Sequence, residues 1–133
     1  MNRMKRITIL LLCLLTALAA GAKEYRVALG EVAGVLKTAA PGDRIVIESG
    51  TYRDLELKWV GHGTEQAPIR IEADPEGAVI TGRSSLRLAG EWIEVEGLDF
   101  LDGCAPKGAV VEFRCGKEVA NNCRLTNCVI DRY

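Results

Sequence analysis

An all-β, right-handed parallel β-helix of about four coils, with an N-terminal cap strand and short helix, is the fold this sequence predicts. Three observations predict it. Strand-type alternation returns in Ile45-Val46-Ile47, Ile69-Arg70-Ile71, Ile93-Glu94-Val95 and Cys123-Arg124-Leu125, the first two steps being equal and the third somewhat longer. Each segment is followed, two residues on, by a small or turn-forming residue: Ser49, Ala73, Gly97 and Asn127. The apolar positions alternate with period two in a chain carrying 14 glycines, which disfavours helical repeats, and the L-x-x-L-x-L-x-x-N pattern of leucine-rich repeats is missing. Short strands recurring at a near-constant interval of this order stack into a solenoid, and its parallel crossovers turn right-handed.

The elements follow in chain order. Residues 1–22 read as a secretory signal. A basic start containing Arg3, Lys5 and Arg6 precedes the apolar run Ile7 to Ala20, and Ala20-Gly21-Ala22 supplies an A-x-A cleavage pattern. Cys13 follows Leu12 in the middle of that run, which disfavours a lipoprotein signal. The expectation is a secreted or periplasmic protein with no membrane association after cleavage.

Residues 23–42 form the cap. Tyr25-Arg26-Val27 is strand-like, and Val32, Val35, Leu36 and Ala39, at i, i+3, i+4 and i+7, suit a short amphipathic helix before Pro41-Gly42-Asp43. A cap of this kind shields the first coil and blunts its open edge. Residues 43–133 are the first coils of the helix, truncated at the C-terminus. Further faces come from Leu55-Glu56-Leu57, Val79-Ile80-Thr81, Leu86-Arg87-Leu88 and Val110 to Phe113, and Leu98-Asp99-Phe100 returns as Cys128-Val129-Ile130.

Stacking turns the repeat into columns. The inward ladders are Ile45/Ile69/Ile93/Cys123 and Ile47/Ile71/Val95/Leu125. Outward lie Val46/Arg70/Glu94/Arg124 and, beside them, Glu48/Glu72/Glu96/Thr126. Three like charges in a column repel unless Arg70 or Arg124 pairs with them diagonally. The column reads as a cation site or as a solvated charged face, the second being the plainer reading.

Composition narrows the partners. Of 133 residues 48% are hydrophobic and 26% charged, as in one globular domain. The chain has 17 Lys and Arg against 18 Asp and Glu, and loss of the signal removes Arg3, Lys5 and Arg6. What is left is mildly acidic, a balance unsuited to nucleic acid. A local basic strip can still hold an anionic polysaccharide, and Arg83, Arg87, Arg114 and Lys117 are its candidates against a background of scattered solvated charge. The single histidine, His62, lies between two glycines and reads as a solvated turn residue. Cys104, Cys115, Cys123 and Cys128 contain no C-x-x-C and hence no zinc signature. Cys123 and Cys128 fall on inward positions as small apolar residues, and a Cys104–Cys115 disulfide is not favoured.

The order of motifs carries a family resemblance. Pro41-Gly42-Asp43-Arg44-Ile45-Val46-Ile47 and Gly50-Thr51-Tyr52-Arg53-Asp54-Leu55 are followed by Gly61-His62-Gly63-Thr64-Glu65-Gln66-Ala67-Pro68-Ile69, Thr81-Gly82-Arg83-Ser84-Ser85-Leu86 and Gly97-Leu98-Asp99-Phe100. Together they resemble the N-terminal coils of polysaccharide lyase family six, the alginate lyase and chondroitinase B group. The resemblance implies calcium-assisted β-elimination of an anionic polysaccharide of alginate or chondroitin/dermatan type, with a Lys base and an Arg on later coils. No position here matches that Lys, that Arg or the calcium-binding Asn and Glu, so no catalytic and no metal-binding residue is assigned. The 133-residue chain alone is expected to be inactive and to self-associate through its open C-terminal coil. A β-helical glycoside hydrolase or epimerase fragment, or a non-enzymatic adhesin or binding module, remains as the alternative.

Overall fold

The alternating segments pair in parallel, and their pairing builds a solenoid. The computed structural model describes residues 21–133, so the expected signal segment lies, except for its last two residues, outside the described residues. Strand β1 (Glu24–Val27), a short 3-10 turn at Leu29–Glu31 and helix α1 (Val32–Leu36) come first. Three coils follow: β2 (Arg44–Ile47), β3 (Gly50–Arg53) and β4 (Glu56–His62); β5 (Ile69–Ala73), β6 (Ala78–Arg83) and β7 (Ser85–Glu91); then β8 (Ile93–Glu96), β9 (Leu98–Cys104) and β10 (Val111–Glu112). The third coil is interrupted by β11 (Arg114–Cys115), which pairs antiparallel with β12 (Glu118–Asn121) before β12 rejoins β7. Strands β13 (Arg124–Thr126) and β14 (Val129–Asp131) open a fourth coil. The solenoid therefore makes about three turns and the start of a fourth.

Three sheets result. The first runs β1-β2-β5-β8-β13, the second stacks β4 on β7 with β10 and β12 along its far edge, and the third runs β3-β6-β9-β14. Inward residues of all three fill one core, in which Ile45, Ile71, Val95, Trp59, Leu88, Ile80 and Phe100 are buried. The expected cap is borne out in form. β1 pairs with β2, and Val32 and Leu36 of α1 are buried while Val35 and Ala39 are partly so. The helix is shorter than its apolar spacing suggests, ending at Leu36, with Ala39 beyond it. Leu29, which the spacing does not single out, is fully buried ahead of it.

The register corrects one expectation. β5 and β8 pair as the repeat predicts, Ile71 with Val95, and so do β8 and β13, Val95 with Leu125. β2 and β5 depart from it. Ile45 pairs with Ile71 and Ile47 with Ala73, a slip of two residues. The inward column is thus Tyr25/Ile45/Ile71/Val95/Leu125, and Ile47 stacks on Ala73 instead of Ile71. A two-residue slip keeps every side chain on its own face, which is why alternation alone does not reveal it.

The corner expectations divide in the same way. Gly97 (φ 83°) and Asn127 (φ 50°) take the left-handed backbone that a one-residue corner demands. Ser49 and Ala73 do not turn in that manner. The second coil instead turns through Asp74-Pro75-Glu76-Gly77, where the Asp74 carboxylate accepts the Glu76 N–H at 3.0 Å and Gly77 has φ 96°. Strand β3, not foreseen, forms from Gly50-Thr51-Tyr52-Arg53 and pairs with β6.

Candidate functional site

The outer face of the β1-β2-β5-β8-β13 sheet carries a dense band of charge. Alternation places Arg44, Arg70, Glu94 and Arg124 in one outward column, with Glu24 at its head. Arg26, Val46, Glu72, Glu96 and Thr126 form the neighbouring column. The two-residue slip brings Arg44 into the place expected for Val46, and Val46 into the place expected for Glu48. A depression of about 240 Å³ lies over this face, lined by Arg70, Glu72, Glu94, Glu96, Arg124 and Thr126. A second, of about 330 Å³, continues it around the corner to Asp74, Asp99 and Asn127.

The charges are paired among themselves. Arg44 Nε donates to Glu72 Oε1, and its Nη1 lies 3.4 Å from Glu24. Glu94 sits between two guanidinium groups, 3.7 Å from Arg70 and 2.8 Å from Arg124. Asn127 Nδ2 donates to Glu96 at 2.7 Å, and Arg26 donates to Asp74 at 2.6 Å. Hydrogen bonding from the Glu76 N–H and then from Arg26 holds the Asp74 carboxyl below its ordinary range, and Arg26 is raised in return. The repulsion expected along the glutamate column is thus relieved by Arg44 and Asn127, and the Arg-on-Glu contacts of Arg70 and Arg124 fall on Glu94.

These residues do not fit calcium. Glu72, Glu94 and Glu96 each have a guanidinium or amide on them, and the described residues contain no group of three or more carboxylate, histidine or cysteine side chains able to hold a metal ion. A hard cation of this kind asks for roughly six to eight oxygen ligands. The solvated, internally paired face is the reading that the geometry supports.

The other candidates scatter. Arg83 ends β6 beside a shallow depression shared with Asp54, Glu56, Pro106 and Lys107. Arg87 projects from β7 on the second sheet, next to Lys58 of β4 and 3.6 Å from Glu112 of β10. Arg114 donates to the Gly116 carbonyl at 3.1 Å, and Lys117 is exposed in the turn between β11 and β12. Among the described residues no single groove collects all four. Lys58, not among the expected candidates, is the register partner of Arg87; the period-two alternation of β4 is the signal that would have found it. His62 ends β4, exposed, with Nδ1 3.5 Å from Glu91.

Cys123 and Cys128 are half-buried, and burial pushes both thiols up from their ordinary range. Cys104 is exposed and Cys115 partly so, and both are free thiols.

One further polar residue shapes the first coil from beneath. Asp43, which ends Pro41-Gly42-Asp43, is buried and accepts the N–H groups of Lys23 (2.9 Å) and Ala40 (2.8 Å). It ties the chain before β1 to the turn before β2. Among the described residues no helix is long and apolar enough to cross a membrane.

Comparison with known proteins places this geometry. The family model of chondroitinase B matches residues 28–133. The PL6 family alginate lyase AlyGC is 39% identical with a TM-score of 0.75, over 80% of this chain and 15% of that one. A mannuronic acid specific polysaccharide family 6 lyase from human gut microbiota is 33% identical, with a TM-score of 0.72, over 83% of this chain and 26% of that one. The PL6 family polysaccharide lyase Pedsa3628 from Pseudopedobacter saltans is 27% identical, with a TM-score of 0.67, over 78% of this chain and 24% of that one. No curated protein matches. The stretch shared with this chain is thus about a quarter, or less, of the length of these structures.

Proposed function

Because this chain belongs to the chondroitinase B family, we propose that it forms the N-terminal turns of an exported polysaccharide lyase acting on an anionic uronic-acid polysaccharide of alginate or chondroitin type. The observation that carries this reading is the family match over residues 28–133, beside 39% identity to an alginate lyase over 80% of this chain. β-Elimination removes a proton α to a carboxylate, so its site must stabilise developing negative charge and place a base at that carbon. On the outer face described above the arginines already hold carboxylates: Arg44 pairs with Glu72, Arg70 and Arg124 with Glu94, and Arg26 with Asp74. No step of the reaction is assigned to these residues.

Their role in the proposal is architectural. The cap seals the first coil, and each completed coil offers its edge to the next, so stability accrues through nearest-neighbour interfaces. The reacting groups then come from coils stacked on this base.

The test compares two proteins. The chain from Lys23 to Tyr133, and the same chain carried on through further coils of a family member, are incubated with alginate and with dermatan sulfate, with and without calcium. Unsaturated product is followed by ultraviolet absorbance. The short chain is expected to form none and the extended one to form it. Calcium-dependent product from the short chain above a heat-treated control overturns the architectural reading, and an inactive but folded extended chain overturns the lyase reading.

A further inference from the structure

The corner between the third and second sheets is bonded from the first coil to the fourth. In the first coil, Asp54 Oδ1 accepts the Arg83 N–H of the second at 2.9 Å, and the Leu55 N–H donates to Ser84 Oγ at 2.9 Å. Ser84 is fully buried and its hydroxyl donates in turn to the Thr81 carbonyl at 2.8 Å. The Thr81 hydroxyl donates to the Asp102 carbonyl of the third coil at 3.1 Å. Asp102 is then gripped by Arg132 of the fourth, through both carboxylate oxygens.

Tyr133 departs from this layer-by-layer order. Its hydroxyl oxygen accepts the Ser84 N–H at 3.1 Å and lies 2.9 Å from the Ser84 carbonyl and 3.2 Å from that of Gly82, to which it can donate. A residue of the fourth coil therefore bonds to the second and bypasses the third. Gly103 makes room for it: a Cβ there would stand 2.5 Å from Tyr133 Cε2 and would overlap the Gly82 carbonyl oxygen as well. β9 also carries an extra residue between its pairings with Ile80 and Gly82, so the strand bulges where the ring passes. Inside the slot the ring meets Phe100 edge-to-face, at 5.6 Å between centroids.

We propose that Tyr133, Ser84, Gly103 and Phe100 form a clasp that closes this corner and holds the fourth coil in register on the third. Among the described residues β14 pairs with β9, and its Val129 and Ile130 are half-exposed, so the Tyr133 contacts add to the few that hold it there. Fastening Tyr133 to a fully buried serine two coils below transfers the stability of the core to this edge. The edge that results is the template on which a further coil pairs. That last clause rests on the architectural reading above; the clasp itself does not.

The test is amide hydrogen exchange on the 133-residue chain and three variants. Tyr133→Phe keeps the ring and removes the hydroxyl, so the buried Ser84 N–H loses its acceptor. Its exchange is expected to quicken roughly three- to tenfold, with the amides of β2 and β5 unchanged. Tyr133→Ala is expected to free the β14 amides as well. Gly103→Ala fills the slot from the opposite side and is expected to free the same β14 amides with Tyr133 intact, beside any change where it presses on Gly82. Unchanged Ser84 exchange in Tyr133→Phe overturns the clasp. So does a Gly103→Ala effect confined to β6 and β9, with β14 still protected. Because Tyr133→Phe is nearly isosteric it decides the matter even where the alanine variants fail to fold, and none of these readouts involves polysaccharide.

Discussion

Replacing Gly90 by alanine tests the idea that the second sheet depends on a direct backbone approach between coils. Gly90 lies in β7 opposite Gly61 of β4, with φ 101°, and a Cβ built on it overlaps the Gly61 carbonyl oxygen and stands 3.0 Å from Gly61 N and C. Two costs combine. A non-glycine residue at that φ costs about 1–3 kcal/mol. Relief of the overlap moves β4 from β7 and loses one or two ladder hydrogen bonds, at about 1 kcal/mol each. The total of about 2–5 kcal/mol is a large share of the ~5–15 kcal/mol that stabilises an ordinary domain.

Two other glycines separate these costs. Gly77 has φ 96° with nothing within 4 Å of its Cβ position, so Gly77→Ala carries the backbone cost alone. Gly34 lies in α1 with no positive φ and equally open space, so Gly34→Ala is expected to stabilise by about 0.5–1 kcal/mol. Urea unfolding of the four proteins, followed by the fluorescence of the buried Trp59, ranks them. The expected order of midpoints, from highest, is Gly34→Ala, parent, Gly77→Ala, Gly90→Ala. A Gly90→Ala midpoint equal to that of Gly77→Ala refutes the contact argument, because backbone strain would then account for the whole effect.

Further expectations follow from the same geometry. Asp43→Ala leaves the Lys23 and Ala40 N–H groups without their acceptor and is expected to cost about 2–3 kcal/mol in the same unfolding assay. Asp74 and Asp102 have depressed folded values, from the Glu76 N–H with Arg26 and from Arg132 respectively. Their contribution is therefore fully present above the unfolded carboxylate range and is lost as pH falls through the folded values; a pH titration of the unfolding midpoint reads it, and Arg132→Ala should flatten its acid limb. Iodoacetamide is expected to alkylate exposed Cys104 first and the half-buried Cys123 and Cys128, with raised thiols, last, as peptide mass mapping over time would show. Light scattering is expected to show concentration-dependent association of the 133-residue chain, reduced by Ile130→Lys at the open edge; a monomer at every concentration contradicts this.

Which residues face inward was legible from the chain alone, and so was the coil period over β5, β8 and β13. Alternation is a local, covalent property: successive side chains on a strand must point to opposite faces wherever the strand lies. That is why Ile45, Ile71 and Val95 could be assigned to the core, and Val32 and Leu36 to the cap. The pairing of β2 with β5 was not legible, because parity is indifferent to a slip of two residues. The choice of Ile71 over Ile69 as the partner of Ile45 is made by the path of the chain between those strands, through corners and loops of unequal length. The candidate site depended on that choice. Arg44 meets Glu72 only in the slipped register, and the pairing turns a column of like charges into an internally neutralised face. The reach of Tyr133 to Ser84 is still further from local pattern, since it joins residues two coils apart through a space that exists because Gly103 has no side chain. Facing is written residue by residue along the backbone, whereas register, charge partners and the closed corner belong to the distances between coils, which form only when the whole stack packs.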